Sequence, residues 1–315
     1  MLNRKDPIFT DEAAARTHME SIRWPDGPVC VHCGSVDKVY RLNGKSHRKG
    51  LIHCNACDGS FTVTTGTVME SSHVPLNKWL LAFRLMASSK KGMSAHQLHR
   101  TIDVTYKTAW FMAHRIREAM RADKAEPMGG PGKIVEADET YYGPKDVETN
   151  PERKRTRKGK PGLGGKAKIL TLVERGGKAR SFKMSDFRDP SLRKVLLENI
   201  AAGTRLMSDE GMPLFPVGDH FERHDTVKHT ADEYVRGDVF SNTVEGFFSV
   251  FKRGMRGTYQ HCGSQHLQRY LDEFDFRYSN RMALGVGDAE RTRRAIKGAH
   301  GKRLTYRQPR SAEPA

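Results

Sequence analysis

No stretch of the chain approaches the roughly eighteen consecutive apolar residues that a bilayer-spanning helix requires. The longest apolar runs, such as WLLAF and ILTLV, have the size of core segments. The N-terminal stretch MLNRKDPIFTDEAAART lacks the apolar centre of a secretory signal, so a cytoplasmic, reducing setting is expected. Acid is scarce: 37 Asp and Glu stand against 54 Lys and Arg, a formal net charge of +17. A compact chain of that charge repels itself and calls for a polyanionic partner, with nucleic acid ahead of an anionic membrane surface. Cysteine is scarce too, and in a reducing compartment the five present read as metal ligands or buried thiols before disulfides. No internal repeat is apparent. At 315 residues the chain has room for a large core and two or three domains, which argues against disorder throughout.

Four of the cysteines are paired. Cys30-x2-Cys33 and Cys54-x2-Cys57 flank a twenty-residue insert, the pattern of a four-thiolate zinc ribbon. The insert reads as a hairpin turning at Asn43-Gly44. His32 and His53 stand beside ligand positions and can substitute, and a redox-active dithiol is the other reading of a CxxC pair. Cys262 is left over as an ordinary thiol.

Around the ribbon, expected over residues 26–65, lies a helical lead-in over residues 1–25. Residues 75–122 turn helical, with Leu76, Trp79, Leu80, Phe83 and Met86 at core spacing. A short helix from Ser94, a turn over Ile102 to Val104 and a second helix from Thr105 have the rhythm of a helix-turn-helix or of a plain helical pair. Its second helix would offer Tyr106, Lys107, Thr108, His114 and Arg115 to DNA. Residues 121–132 read as a linker. Beyond them come a strand in KIVEADETYYG, two strands about Gly176-Gly177, a helix in SLRKVLLENIAAG, a strand in TRLMSDEG and the helix SNTVEGFFSVFKRG. That order suits an α/β (α+β) domain over residues 133–285, a mixed sheet flanked by helices. Residues 286–315 read as a basic tail.

The helix SNTVEGFFSVFKRG puts Val244, Phe247, Phe248 and Phe251 on one face and Asn242, Glu245, Ser249 and Lys252 on the other. Two strands end in an aspartate, Asp138 and Asp209, either a turn initiator or a hard-cation ligand. Thirty-five residues lie between Asp209 and Glu245, and Lys252 follows two helical turns later. Three carboxylates so spaced can converge on two divalent ions. Glu136, on the face of Asp138, reads mainly as a surface group or else as a support for the site. Glu139 and Glu210 are expected to point away. Tyr141 and Tyr142 either stack on a base or pack. Asp272, Glu273 and Asp275 read as partners of Arg269, Arg277 and Arg281, while His229 and His261 are lone histidines of no firm role. The run PERKRTRKGKPGLGGKAK carries eight basic residues against one acid, and Arg153, Lys154, Arg155, Arg157 and Lys158 in it are expected to grip phosphates.

The four cysteines, EADETYYG, VERGGK, MSDEG, SNTVEGFFSVFKRGMRGTYQH and QRYLDEFDFRYSNR together resemble the ISXO2-like insertion-sequence transposases of the DDE class, over about residues 25–282. The resemblance implies a ribonuclease-H-like catalytic domain whose metal-binding triad matches Asp138, Asp209 and Glu245, with two Mg2+ or Mn2+ ions and a structural Zn2+ in the ribbon. It implies cleavage at the ends of a mobile element, strand transfer into target DNA, and a homodimer or larger assembly on terminal inverted repeats in the nucleoid. Lys252 matches a basic residue expected near the transposon end, beside Arg253 and Arg256 as further DNA contacts. In parts of the family the third position is asparagine, which Asn242 would supply from the same helical face. Two alternatives stay open: a nuclease of the same fold without strand transfer, and an inactive, transposase-derived DNA-binding regulator.

Overall fold

The structure, a computed structural model, describes residues 5–123, 126–143, 166–209, 220–227 and 237–305. The chain divides into two compact units, one formed by Met1–Arg121 with Val286–Ala315 and the other by Ala122–Gly285.

The first unit opens with two helices, α1 (Pro7–Thr10) and α2 (Glu12–Arg23). The Asp11 carboxylate caps α2 by accepting from the Ala14 N–H at 2.6 Å. Three short antiparallel strands follow: β1 (Val39–Arg41), β2 (Ile52–Cys54) and β3 (Gly59–Phe61). The hairpin expected between the cysteine pairs is present, with Tyr40 opposite His53, but Asn43-Gly44 does not form a tight two-residue turn. Instead the connection runs from Leu42 to Leu51, whose backbones are still hydrogen-bonded.

Three helices complete the sequence-local part of this unit: α3 (Leu76–Ser88), α4 (Ala95–Ile102) and α5 (Tyr106–Met120). Each boundary has a physical signal. Ser94 and Gln97 form a reciprocal capping box, Asp103 closes α4 in the left-handed region at φ 51°, and the Thr105 side chain caps α5. The segment expected as a basic tail departs from that reading. It carries helix α9 (Asp288–Lys297; α6 to α8 belong to the second unit), which buries Arg291, Thr292, Ala295 and Ile296 among α2, α3 and α5. Charge alone hid it, because Arg291 lies buried with its guanidinium donating to the Ala87 and Val286 carbonyls.

The second unit is a five-stranded sheet made of β4 (Ile134–Tyr142), β5 (Ala167–Glu174), β6 (Ala179–Met184), β7 (Arg205–Asp209) and β8 (Arg223–Val227). Across the sheet the order is β6-β5-β4-β7-β8. The first three strands form an antiparallel meander, and β7 and β8 then run parallel to β4. This is the ribonuclease-H-like arrangement.

One face packs Val135, Ala137, Leu170, Leu172 and Leu206 against Leu192, Leu196 and Ile200 of helix α6 (Asp189–Asn199) or its end. The other face packs Ile169, Val173 and Ala179 against α7 (Asn242–Gly254) and α8 (Leu267–Ser279). Val244, Phe247, Phe248 and Phe251 of α7 all enter that core, each contributing on the order of 2 kcal/mol by burial.

The free edge of β6 is covered by side chains of α8. Ser181 donates its N–H and its hydroxyl to Asp275, both at 2.7 Å. Gln268 accepts from the Lys183 N–H and donates to the Ser181 carbonyl, and Ser279 accepts from the Ala179 N–H. Asp275 therefore serves the sheet edge rather than an arginine. The expected pair of Glu273 with Arg277 is present, and Glu273 also accepts from the Tyr259 hydroxyl at 2.6 Å.

Gly298, just past α9, shows how closely that helix approaches α5. A Cβ at this position would stand 2.3 Å from the Ala119 carbonyl oxygen. In an open αR position Gly→Ala stabilises by about 0.4–1 kcal/mol. Here the sign reverses, and Gly298→Ala is expected to cost about 1–3 kcal/mol in urea unfolding of the first unit.

Candidate metal centres and active site

The four cysteine sulfurs converge. Cys30 Sγ lies 3.6 Å from Cys57 Sγ, Cys33 Sγ lies 3.7 Å from Cys54 Sγ, and all four fall within 4.8 Å of one another. Four thiolates about 2.3 Å from one tetrahedral zinc stand about 3.8 Å apart, so the quartet fits that ion closely. Neither adjacent histidine is needed. His53 bonds Ser60 at 3.1 Å and His32 packs edge-on against Phe61. The CxxC pairs are set by the ribbon strands, since Cys54 ends β2 and pairs with Gly59 of β3. Removing the metal with a strong chelator should release one zinc per chain and unfold the ribbon, read as a loss of its amide protection.

The second site lies where the C-terminal end of β7 meets the middle of β4: β7 ends at Asp209 as expected, whereas β4 does not end at Asp138 but runs on to Tyr142, held by its pairing with β5. The parallel register pairs Glu136 with Met207 and Ala137 with Ser208. The next residue on each strand is Asp138 and Asp209, so two carboxylates stand on adjacent strands, about 4.8 Å apart at the backbone and on one face. That face is the one covered by α7. Glu245, in the first turn of α7 and exposed, adds its charge to the same place.

The electrostatics register the convergence. Burial, followed by the charges of Glu139, Asp209 and Glu245, pushes the Asp138 carboxyl up from 3.8 to about 7. Burial and then Asp209 push Glu139 up as well. Glu139 thus belongs to the acidic cluster, although strand alternation alone predicts that it points away. Asp209 Oδ1 and Glu139 Oε2 are buried with no hydrogen-bond partner. Unpaired buried carboxylate oxygens are costly, and gathered hard oxygen ligands are what a divalent ion requires. The carboxylates are nonetheless more open than the thiolates: among the described residues, only the cysteine quartet has all its ligand atoms within 4.8 Å.

Glu136 corrects an expectation. It is fully buried, not a surface group, and accepts four hydrogen bonds: from Arg175 Nε at 2.6 Å, the Thr243 hydroxyl at 2.8 Å, and the N–H groups of Thr243 and Val244 at 2.9 and 3.0 Å. The alternation of β4 placed it correctly on the Asp138 face; what the sequence does not reveal is that the start of α7 lies against it. Tyr142 packs on Phe251, its hydroxyl pushed up to about 12 chiefly by burial, and Tyr141 packs on Phe187. Both tyrosines contribute ring contacts here.

The basic residues divide into two groups. On and after α7, Lys252 is half-buried with Nζ 5.6 Å from the centre of the Phe248 ring, Arg253 bonds back to Ser249, and Arg256 is exposed in a π-helical turn, Met255–Tyr259. Asn242 is exposed at the first helical position of α7. In the first unit, Tyr106 and Lys107 are exposed at the start of α5, and Tyr106 stacks on His96 at 4.3 Å. Arg115 is instead turned inward, donating to the Leu304 and Glu70 carbonyls and lying over Phe111, and His114 is buried. Helical periodicity gave both residues to the open face, but the segment after α9 covers Arg115. Arg153, Lys154, Arg155, Arg157, Lys158, Glu210 and His229 lie outside the described residues, and His261 is exposed.

Comparison with known proteins bears on this arrangement. Residues 129–279 match the family model described as an ISXO2-like transposase domain, and residues 10–60 match a transposase zinc-ribbon domain. A protein described as uncharacterized in transposable element ISH50, from Halobacterium salinarum, is 30% identical over 278 residues, covering 85% of this chain and 91% of its own length. The chain belongs to the ISXO2-like transposase family. The Mos1 strand transfer complex superposes over 70% of this chain and 74% of its own at 12% identity, with a TM-score of 0.29. So loose a superposition adds nothing to the topology of this transposase-family chain. No helix among the described residues is long and apolar enough to cross a membrane.

The raised Asp138 pKa has a definite sign for stability. The folded protein holds this proton more tightly than the unfolded chain, so the contribution is full below about pH 4 and is lost as pH rises through about 7. Asp275, pushed up to about 7 by burial, acts in the same direction. The Tm of the metal-free protein is expected to fall across this range. Asp138→Asn should flatten part of the fall, and Mg2+ should raise Tm more above pH 7 than below it.

Proposed function

We propose that this chain is an active DNA transposase, in which Asp138, Asp209 and Glu245 hold two divalent cations, Mg2+ or Mn2+, against the phosphodiester at each end of a mobile element. The observation that supports this reading is the position of Asp138 and Asp209, each one residue past the Ala137–Ser208 pair of two parallel strands, with the charges of Asp209 and Glu245 both raising the Asp138 carboxyl. When bound, the ions supply Lewis acidity at the phosphate and at the attacking water.

The residues supply placement. The two adjacent strands fix a pair of carboxylates on a rigid sheet, and Glu245 closes the third side from the helix. With Glu139, these groups make a site that neither binds a phosphate nor discharges its own repulsion until cations arrive. Water then attacks phosphorus in line, the bond to the 3′ oxygen breaks, and the freed 3′ hydroxyl attacks a target phosphodiester in the same site. No covalent protein intermediate is formed. Lys252 and Arg256, beyond Glu245 on the same helix and its π-helical extension, meet the DNA backbone beside the cut.

Tyr106 and Lys107 at the start of α5, together with the basic run containing Arg153 to Lys158, hold the flanking duplex. Much of that grip is counterion release, so affinity falls steeply with salt. Glu245 is the third ligand in preference to Asn242, because an anion holds a hard cation more strongly and because Glu245 adds to the field at Asp138. Two ends must meet in one complex, so the protein acts as a dimer or larger assembly on terminal inverted repeats, within the nucleoid.

End-cleavage and strand-transfer assays with Mn2+ test this reading. Asp209→Asn and Glu245→Ala should each lower cleavage by at least about a hundred-fold with end binding intact. Asn242→Ala should retain partial activity. Cleavage of ends without joining of pre-cut ends would instead show a nuclease, and full cleavage by Asp209→Asn would refute the site.

A further inference from the structure

The carboxylate of Glu136 accepts four hydrogen bonds, and none comes from a position assigned above to metal or DNA. It is fully buried, which for a carboxylate is tolerable only with near-complete compensation. That compensation comes from two sources. One is Arg175, in the turn between β5 and β6, whose Nε lies 2.6 Å from Glu136 Oε1. The other is the start of α7, through the N–H groups of Thr243 and Val244 and the Thr243 hydroxyl.

Thr243 and Val244 are the second and third residues of α7, the positions whose N–H groups a capping side chain ordinarily satisfies. The helix's own cap residue, Ser241, makes no such bond. The cap arrives instead from a residue more than a hundred positions earlier, on the central strand, and places a negative charge at the positive end of the helix dipole.

Arg175 extends the hold to the segment that leads into the helix. Its other two nitrogens donate to the Asp238 and Phe240 carbonyls at 2.8 and 2.7 Å, and its guanidinium lies 3.5 Å from the centre of the Phe240 ring. Arg205 of β7 pins the same segment through Asp238 while also pairing with Asp225. The first turn of α7 is therefore tied to the sheet by charge, not by apolar packing alone.

The geometry matters because of what lies on either side. Glu136 is two residues before Asp138 on one strand face, and Glu245 follows Val244 on α7. One contact thus sets the spacing between the strand carboxylate and the helix carboxylate. We infer that Glu136 is a positioning residue: its Arg175-locked carboxylate caps α7 and holds Glu245 at metal-sharing range of Asp138. The inference rests on the reading of Asp138 and Glu245 as ligands of the same ion pair. It explains why an acid, and not a smaller polar group, occupies the first position of Glu-x-Asp in EADET.

The test uses zinc-loaded, full-length protein bound to end DNA, with free Mn2+ followed by electron paramagnetic resonance. Glu136→Gln keeps the shape and removes the charge. Its Mn2+ midpoint is expected to rise about ten- to one-hundred-fold, the usual consequence of losing a residue that orients a ligand, with DNA affinity changed by less than about two-fold. Cleavage should recover at high Mn2+. A purely structural role would lower Tm and leave the Mn2+ midpoint of the folded protein where it was, and that result overturns the inference.

Thr243→Val, which deletes one donor to Glu136, reads the same contact if Glu136→Gln does not fold; a smaller shift in the same direction supports the clamp, and none refutes it. Asp138→Asn serves as the reference. If it weakens Mn2+ binding while Glu136→Gln does not, the clamp alone fails. Should neither variant weaken binding, the metal-site reading fails and the clamp falls with it.

Discussion

Parallel pairing of β4 with β7 brings two aspartates to the same level on adjacent strands, Asp209 at the end of β7 and Asp138 in the middle of β4, and everything else about the site follows from the repulsion this creates. A sheet cannot relax that repulsion by moving one strand, because Glu136 to Ala137 and Met207 to Ser208 are locked in register. Burial and neighbouring acids push the Asp138 carboxyl up to about 7, and among the described residues one oxygen each of Asp209 and Glu139 is buried without a hydrogen-bond partner. The fold stores an unfavourable local field, which the divalent ions of the proposed function would relieve.

This local acidity sits within a chain of net charge +17. The two signs have separate tasks. In the proposed function a basic exterior draws a polyanion in from solution and accounts for affinity, whereas the acidic pocket would admit a phosphate only when cations bridge the two. Coupling the pocket to cations in this way would confine chemistry to the metal-loaded state. The zinc ribbon, whose sulfurs are already arranged at tetrahedral spacing, stands apart as a structural centre in the other unit.

Much of this was readable from sequence, and the exceptions have identifiable causes. The paired CxxC motifs report their ligand geometry directly, because ligand type and spacing are themselves the signal. The strand end at Asp209 and the aromatic stripe of α7 follow from periodicity, whereas Asp138 sits in mid-strand, because pairing with β5 carries β4 on to Tyr142. What periodicity omits is the identity of the surface opposite. Glu136 was placed on the correct face, yet nothing local says that a helix start covers it. Asp275 looked like an arginine partner at helical spacing, but the open edge of β6 offered better donors. Arg115 and the charged helix Asp288–Lys297 were misjudged for one reason: long basic side chains bury their stems and bond backbone carbonyls, so charge does not guarantee exposure. Glu139 sits in mid-strand opposite Leu170, yet burial and the charge of Asp209 still raise its carboxyl, a proximity that alternation along one strand does not report.

The central claim is that three carboxylates distant in sequence share divalent ions at the end of this sheet. Anomalous diffraction from Mn2+-soaked crystals of the protein with a cut DNA end measures it directly. The account predicts manganese peaks bounded by Asp138, Asp209 and Glu245, with a DNA phosphate oxygen completing the coordination. Peaks absent from that strand end, or coordinated there without Glu245, would contradict it.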